Sequence, residues 1–204
     1  MFAYPGNPNS HIYEERRAPK VLQQSVGYYA VIDLHNNDDF GENTAAIDID
    51  CGVSPVVLGF LGDLGIRNLI ATKHFGLHAH VTNALALETL TSDLGSDMQA
   101  LRDAFDNLSN SPNLSTANAG DFNWFTYVSY GLHVDAISPE DLSEQEFASI
   151  RAFQPVPDMF AQRLGVQDEQ ICPMGWSAQP NEYGYWAELV TPASTPDDTH
   201  WKAA

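Results

Sequence analysis

Apolar and polar positions along the first half of the chain fall into blocks that read in turn as strand, helix and strand. Residues 28–34, YYAVIDL, form a nearly continuous apolar run with β-branched members, ending at His35 and the polar stretch NNDDFGEN. Such a run is a buried strand whose end reaches solvent. Ser54 and Pro55 ahead of VVLGFLGDLG predict a short helix with an N-cap, a proline at its first position and Gly65 as its stop. IRNLIAT (66–72) and ALALE, which ends at Glu88, predict two more strands. Ser96 with Gln99 predicts a capping box ahead of MQALRDAFDNL, where Met98, Leu101, Ala104, Phe105 and Leu108 recur at helical spacing. Strands alternating with helices predict an α/β fold around a parallel sheet.

The pattern changes at SNSPNLSTANAGDFN, which is rich in Ser, Asn, Pro and Gly and has little periodicity. A boundary there divides the chain into a larger α/β unit over 1–109 and a small β-rich unit over 120–204. In the second unit WFTYVSYGLHVDAI, QICPMGW and YGYWAELV read as strands, and SPEDLSEQEFASI as a helical or looped insertion. At 204 residues, 44% of them apolar, the chain has room and material for one compact unit with an appendage, but not for two full-sized domains.

Charge narrows the range of partners. With 27 acidic residues against 9 basic and a net charge of -18, the chain repels polyphosphates, so no nucleic-acid partner is expected. The same balance suits solubility in concentrated salt, and it also suits an ordinary acidic protein. No run approaches the roughly 20 apolar residues that span a bilayer, and MFAYPGNPNS has neither a basic nor an apolar leader segment. These features predict a cytoplasmic protein without membrane partners. Cys51 and Cys172 lie far apart in sequence and carry no partner motif, which fits two reduced thiols or a single disulfide.

Candidate chemistry gathers where predicted strands end, because α/β folds place ligands at the carboxyl edge of the sheet. His35 and Glu88 both fall there, and Asp33 shares the strand face of His35 two residues earlier. A neutral imidazole so placed can ligate zinc with Asp33 orienting it; the same D-L-H also fits a hydrogen-bonded structural histidine. A carboxylate closing an apolar strand either reaches solvent or has a functional partner. In a metal hydrolase that partner is a water whose proton the carboxylate removes and later delivers to the leaving nitrogen. HIYE supplies an H-x-x-E from His11 and Glu14, and His74, His78 and His80 form a local cluster that reads as a solvated or substrate-side loop.

Several segments, in the same order, resemble the aspartoacylase and succinylglutamate desuccinylase family of zinc carboxypeptidase-like enzymes. YPGNPNSHIYEERRA is similar to the family's PG turn and Y-E-x-R-R-A, VIDLHNN to its D-L-H strand, and SPVVLGFLGDLGIRNLI with GLHAHVTNALALE to the helix and strand that follow. ISPEDLSEQEFASIRAFQPVPDMF is similar to its I-H-P-x-L-Q segment, and NEYGYWAEL to its closing N-E-A-A-Y-Y-E-K. The resemblance implies a carboxypeptidase-like parallel or mixed sheet with helices, and a C-terminal β-rich domain closing over the site. It implies that His35 is a zinc ligand, Glu88 the general acid/base, Tyr185 and Asn36 substrate contacts, and Asp33 and Glu182 supporting carboxylates. The activity implied is removal of an acyl group from an N-acyl amino acid or similar small amide.

The family's other two zinc ligands come from a G-x-H-G-x-E element, and its substrate Asn and Arg from D-L-N-R; this sequence begins at the PG turn that follows both. One zinc ion would then lack two of its usual three protein ligands here. The expected chain is therefore an impaired amidohydrolase, or a non-catalytic remnant that serves assembly or small-molecule binding. Homo-oligomerisation through an exposed sheet edge fits either reading.

Overall fold

The computed structural model describes residues 5–36, 42–73, 76–89, 94–110, 114–133, 150–155, 170–174 and 185–197. The expected insertion around 138–149, His74 and Glu182 lie outside the described residues. What is described is a mixed α/β fold: helix α1 (Tyr13–Ser25), strands β1 (Val31–Asn36) and β2 (Thr44–Asp48), and helix α2 (Pro55–Asp63). These are followed by β3 (Asn68–Thr72), β4 (Ala84–Thr89), α3 (Leu94–Asn110), β5 (Asn123–His133), β6 (Cys172–Pro173) and β7 (Tyr185–Pro192).

The strands form one seven-stranded sheet in the order β1-β4-β2-β3-β5-β7-β6. β1 runs parallel to β4, and β2, β3 and β5 run parallel to one another, but β2 lies antiparallel to β4 and β7 antiparallel to β5. The sheet is therefore mixed, whereas strand-helix alternation alone had pointed to a parallel one. The antiparallel pairs are those of β2 with β4, β5 with β7 and β6 with β7; of these strands β2 is the one the sequence pattern does not predict, since TAAID is only five residues long and wholly buried, too short to declare a period. β5, the first strand of the expected second unit, hydrogen-bonds directly to β3 of the first.

One face of the sheet is apolar and covered by helices. Ala45, Ile47, Leu69, Leu85, Leu87 and Trp124 pack there against Val57, Leu58 and Leu61 of α2 and Leu101 and Ala104 of α3, with the rings of Phe60 and Phe105 5.2 Å apart. α2 ends as its sequence predicts. Gly65 takes φ +76, its N–H bonds Gly62 O at 2.9 Å, and the Ile66 N–H bonds Leu61 O at 3.0 Å, the paired bonds of a glycine-terminated helix. Two expected caps differ. Ser54 stands at the N-cap of α2 without a side-chain cap bond, because its hydroxyl pairs with the Tyr29 hydroxyl at 3.1 Å. α3 begins at Leu94, so Ser96 lies inside its first turn rather than at its start, and the Gln99 side-chain amide donates to Asp103 one turn on at 2.8 Å.

The opposite face carries a second, smaller apolar cluster: Ala46, Ile70, Ala86, Phe125, Phe153, Cys172, Met174 and Val190. Cys51 and Cys172 are both unbridged thiols. Among the described residues β1 is one edge of the sheet, with Val26, Tyr28, Tyr29 and Leu34 exposed beside it. No helix among the described residues is long and apolar enough to cross a membrane.

The starts of β1, β4 and α2 are tied together at Asn83. This residue is buried with φ +58; its side-chain oxygen accepts the Ser54 N–H and its carbonyl accepts the Val31 N–H at 3.1 Å. Asn is among the few side chains that tolerate that backbone region, and here it also satisfies a buried donor at a helix start. Asn83→Ala removes the acceptor and keeps the unfavourable φ. A loss of about 2–4 kcal/mol in urea unfolding is expected, since an orphaned buried donor costs about 1–3 kcal/mol and left-handed strain adds to it. Asn83→Gly, which relieves the strain alone, should lose less.

Candidate active site

The register of β1 on β4 pairs Asp33 with Ala86, His35 with Glu88 and Asn36 with Thr89. Directly paired residues project to the same face, so His35 and Glu88 stand side by side at the carboxyl ends of two adjacent parallel strands, with Asp33 one pleat behind. The side chains meet: His35 Nε2 lies 3.3 Å from Asp33 Oδ2, and His35 Nδ1 lies 3.6 Å from Glu88 Oε1. Thr89 supports the end of β1 by donating its hydroxyl to His35 O at 3.1 Å.

Two opposing electrostatic effects act here. The His35 pKa is raised, chiefly through its contact with Asp33; burial opposes this, and the charges of Glu88 and Asp33 reinforce it. The Glu88 side chain is only 16% exposed, and burial lifts its carboxyl above the usual carboxylate range, with Asp33 adding and His35 opposing. The result is an exposed-side imidazole that favours its cationic form beside a half-sequestered carboxyl that gives up its proton reluctantly. A carboxyl with a raised pKa is suited to accepting and returning a proton near neutral pH.

The same face extends across the sheet. Ala86 pairs with Ala46, Ala46 with Ile70 and Ile70 with Phe125, and Asp48 pairs with Thr72. Asp48 is buried and accepts the N–H groups of Asp50 at 2.9 Å and Cys51 at 3.1 Å. His78, expected in a solvated or substrate-side loop, is buried instead. Its Nε2 is 2.9 Å from the Thr72 hydroxyl, its Nδ1 has no partner, and a Cβ on Gly76 would stand 3.0 Å from its ring. Burial holds the His78 pKa below the usual value, against the pull of Asp48 and Asp33. Asp48 and Thr72 carry no sequence signal that joins them to this site, because β2, which brings Asp48 onto this face, is too short to declare a period.

The remaining expected residues are placed by backbone alone or lie apart. Asn36 closes β1 and Tyr185 opens β7, where it pairs with His133; their side chains lie outside what is described. His11 is exposed in the turn before α1, and the Glu14 side chain is likewise undescribed. A zinc ion does not fit the described donors as they stand. Both ring nitrogens of His35 face carboxylate oxygens, the arrangement of a doubly protonated imidazole with no lone pair to offer, and no three His, Cys, Asp or Glu residues among those described form a metal-holding group.

No protein-family model matches the chain, and no curated protein matches it. Among solved structures it is similar to the succinylglutamate desuccinylase of Chromobacterium violaceum, at 17% identity and TM-score 0.61, over 97% of this chain and 67% of that one. It is also similar to the succinylglutamate desuccinylases of Vibrio parahaemolyticus and Vibrio cholerae, each at 13% identity and TM-score 0.52 over 95% of this chain, covering 64% and 63% of theirs. The likeness is one of fold, and the chain spans about two thirds of the length of these proteins.

A pH dependence follows from the His35 and Glu88 shifts. Both groups hold protons more tightly folded than unfolded, so their contribution to stability falls as pH rises. That of His35 is complete below its ordinary value of 6.5 and is lost as pH passes through the higher folded value. His78 is shifted the opposite way and is present in both proteins, so the difference between wild type and His35→Gln reports the His35 part together with its coupling to Glu88 and His78. In thermal melts from about pH 5.5 to 8.5, the advantage of wild type over His35→Gln should shrink steadily; a constant difference would show that the imidazole gains nothing from its two carboxylates.

Proposed function

We propose that this chain is a desuccinylase-like hydrolase that cleaves a linear amide, releasing an acyl group from an N-acyl amino acid or a similar small amide. The observation that carries the reading is the His35–Glu88 pair, held in register at one sheet edge with the Glu88 carboxyl raised by burial. The fold likeness to three succinylglutamate desuccinylase structures supports it.

In this reading Glu88 takes a proton from the attacking water. The resulting hydroxyl bonds to the acyl carbon, and as the C–N bond breaks the same proton passes to the departing nitrogen, leaving a carboxylic acid and a free amine. His35, cationic between Asp33 and Glu88, orients the Glu88 carboxylate and moderates the negative charge gathered there. Asn36 and Tyr185, at the ends of β1 and β7, are the proposed substrate contacts, with Glu182 in support. A non-catalytic reading draws on a different observation: none of the seven strands carries a Lys or Arg that could hold a substrate carboxylate.

Zinc content of the purified chain, measured together with release of succinate from N-succinylglutamate, tests the proposal. Hydrolysis by wild type that falls about 10²–10⁴-fold in Glu88→Gln is expected, the range for removal of a general acid/base. Absence of hydrolysis with and without added zinc, or identical rates in the two proteins, would sink the reading and leave the non-catalytic one.

A further inference from the structure

The row that holds His35 and Glu88 continues across three more strands. Glu88 pairs with Thr44 on β2; one residue before the Ala45–Leu69 pair, Thr44 stands level with Asn68 on β3; and Asn68 pairs with Asn123 on β5. Residues paired in this way share a face, so five polar side chains follow one another along this edge of the sheet. Thr44 divides the row in two. It is fully buried, and its hydroxyl donates to Asn68 O at 2.7 Å, so what lies on the Asn68 side is closed off from Glu88.

On that side a cleft of about 600 Å³ opens, within the size range of small-molecule sites. Its polar wall is a hydrogen-bonded chain: the Asn123 amide donates to Asn68 Oδ1 at 3.0 Å, and the Asn68 amide donates to Glu42 Oε1 at 3.0 Å. Each carboxamide donates toward the next group, so the chain ends on a carboxylate and fixes it at the exposed mouth. The apolar wall is the tilted pair of Phe125 and Phe153, with centroids 5.0 Å apart. Phe153 is held there against its own backbone preference: its φ is +55, and its N–H bonds Pro173 O at 2.8 Å. Such strain persists only where the surroundings over-determine a conformation, and it gathers at ligand clamps.

The lining selects the ligand. Among the described residues that line the cleft, Glu42 carries the one charge, and the rest of the polar lining is amide, hydroxyl and thiol. Burial lifts the Glu42 carboxyl above the usual carboxylate range, and the Asn68 hydrogen bond opposes this. A carboxylate partly withdrawn from water gains from a cation, and the face of an aromatic ring attracts an ammonium group as well. An anion would instead meet Glu42 and a net charge of -18 without a cationic side chain on this lining to offset them.

We propose that this cleft is a second ligand site, separate from the His35–Glu88 centre, which binds a small organic amine in its ammonium form, the charge at Glu42 and the apolar body against Phe125 and Phe153. The inference goes beyond the hydrolase reading and does not depend on it.

Calorimetric titration of the full chain with phenethylamine, and with 2-phenylethanol as its uncharged counterpart, tests it, alongside melting temperatures. Saturable one-to-one binding of the amine is expected, about tenfold tighter than that of the alcohol. Glu42→Gln should raise the amine Kd about tenfold, the effect of one lost charge-assisted hydrogen bond. Thr195→Arg, which sets a cation at an exposed position lining the cleft, should abolish binding, and neither change should move the Tm. Glu88→Gln should bind the amine as wild type does, whatever its effect on hydrolysis. Absence of saturable binding, equal affinity for the alcohol, or an unchanged Kd in Glu42→Gln overturns the inference. Should Glu42→Gln lower the Tm, Thr195→Arg decides, and amine binding retained in that variant overturns it. A Kd raised as much by Glu88→Gln as by Glu42→Gln places the amine at the other centre and overturns it too.

Discussion

The pairing of β1 with β4 is the constraint on which the site depends. Side chains in a strand alternate faces with a period of two, so a slip of one residue would send His35 to one face and leave Glu88 on the other. Within VIDLHN the alternation of Asp33 and His35 with Ile32 opposes such a slip, because it would turn both polar side chains toward the apolar cluster on which Ile32 packs. The register is also held at the other end of the strands. The Asn83 carbonyl receives the first amide of β1, its side chain receives the first free amide of α2, and the Ser54 hydroxyl meets Tyr29 just ahead of β1. Three elements distant in sequence are thus indexed to one another at a buried polar node, and the charged residues at the far ends of the strands inherit that alignment.

The two faces of the sheet divide the work. One is filled by Leu, Ile and Trp under α2 and α3 and supplies the apolar burial that stabilises the domain. The other carries the smaller cluster of Ile70, Phe125, Phe153, Met174 and Val190 with two alanines, and beside it carboxylates, imidazoles and hydroxyls. Acidic groups concentrated on a partly covered face would repel one another if all were ionised and unpaired. The arrangement limits this in three ways: His35 sits between Asp33 and Glu88, Asp48 accepts two backbone amides, and burial raises the Glu88 carboxyl above the usual carboxylate range. The electrostatic compensation and the proton-transfer capacity of the site therefore have the same origin.

His78 illustrates how far environment can depart from composition. In sequence it is one of three histidines in a polar loop; in the fold it lies beneath the sheet face against Thr72, with Gly76 too close to bear a side chain. Its lowered pKa keeps it uncharged among groups that would otherwise invite protonation, because removal from water outweighs the attraction of Asp48 and Asp33.

Much of the fold was legible in the order of residues: the strands ending at His35 and Glu88, the proline-started, glycine-stopped helix 55–63, and the long helix whose apolar positions recur at helical spacing. Each declares itself through periodicity or through a residue with a unique backbone preference, and such signals are local. β2 was not legible, because five buried residues carry no period. The resemblance implied a parallel or mixed sheet and the sheet is mixed, but the strand order, the continuity of β3 with β5 and the shared face of Asp48 and Glu88 were not legible in local pattern. The sequence by itself determined which residues could do chemistry at strand ends. Which of them face one another was decided by strand order and register, because those depend on contacts between segments far apart in the chain, and local propensity holds no record of such contacts.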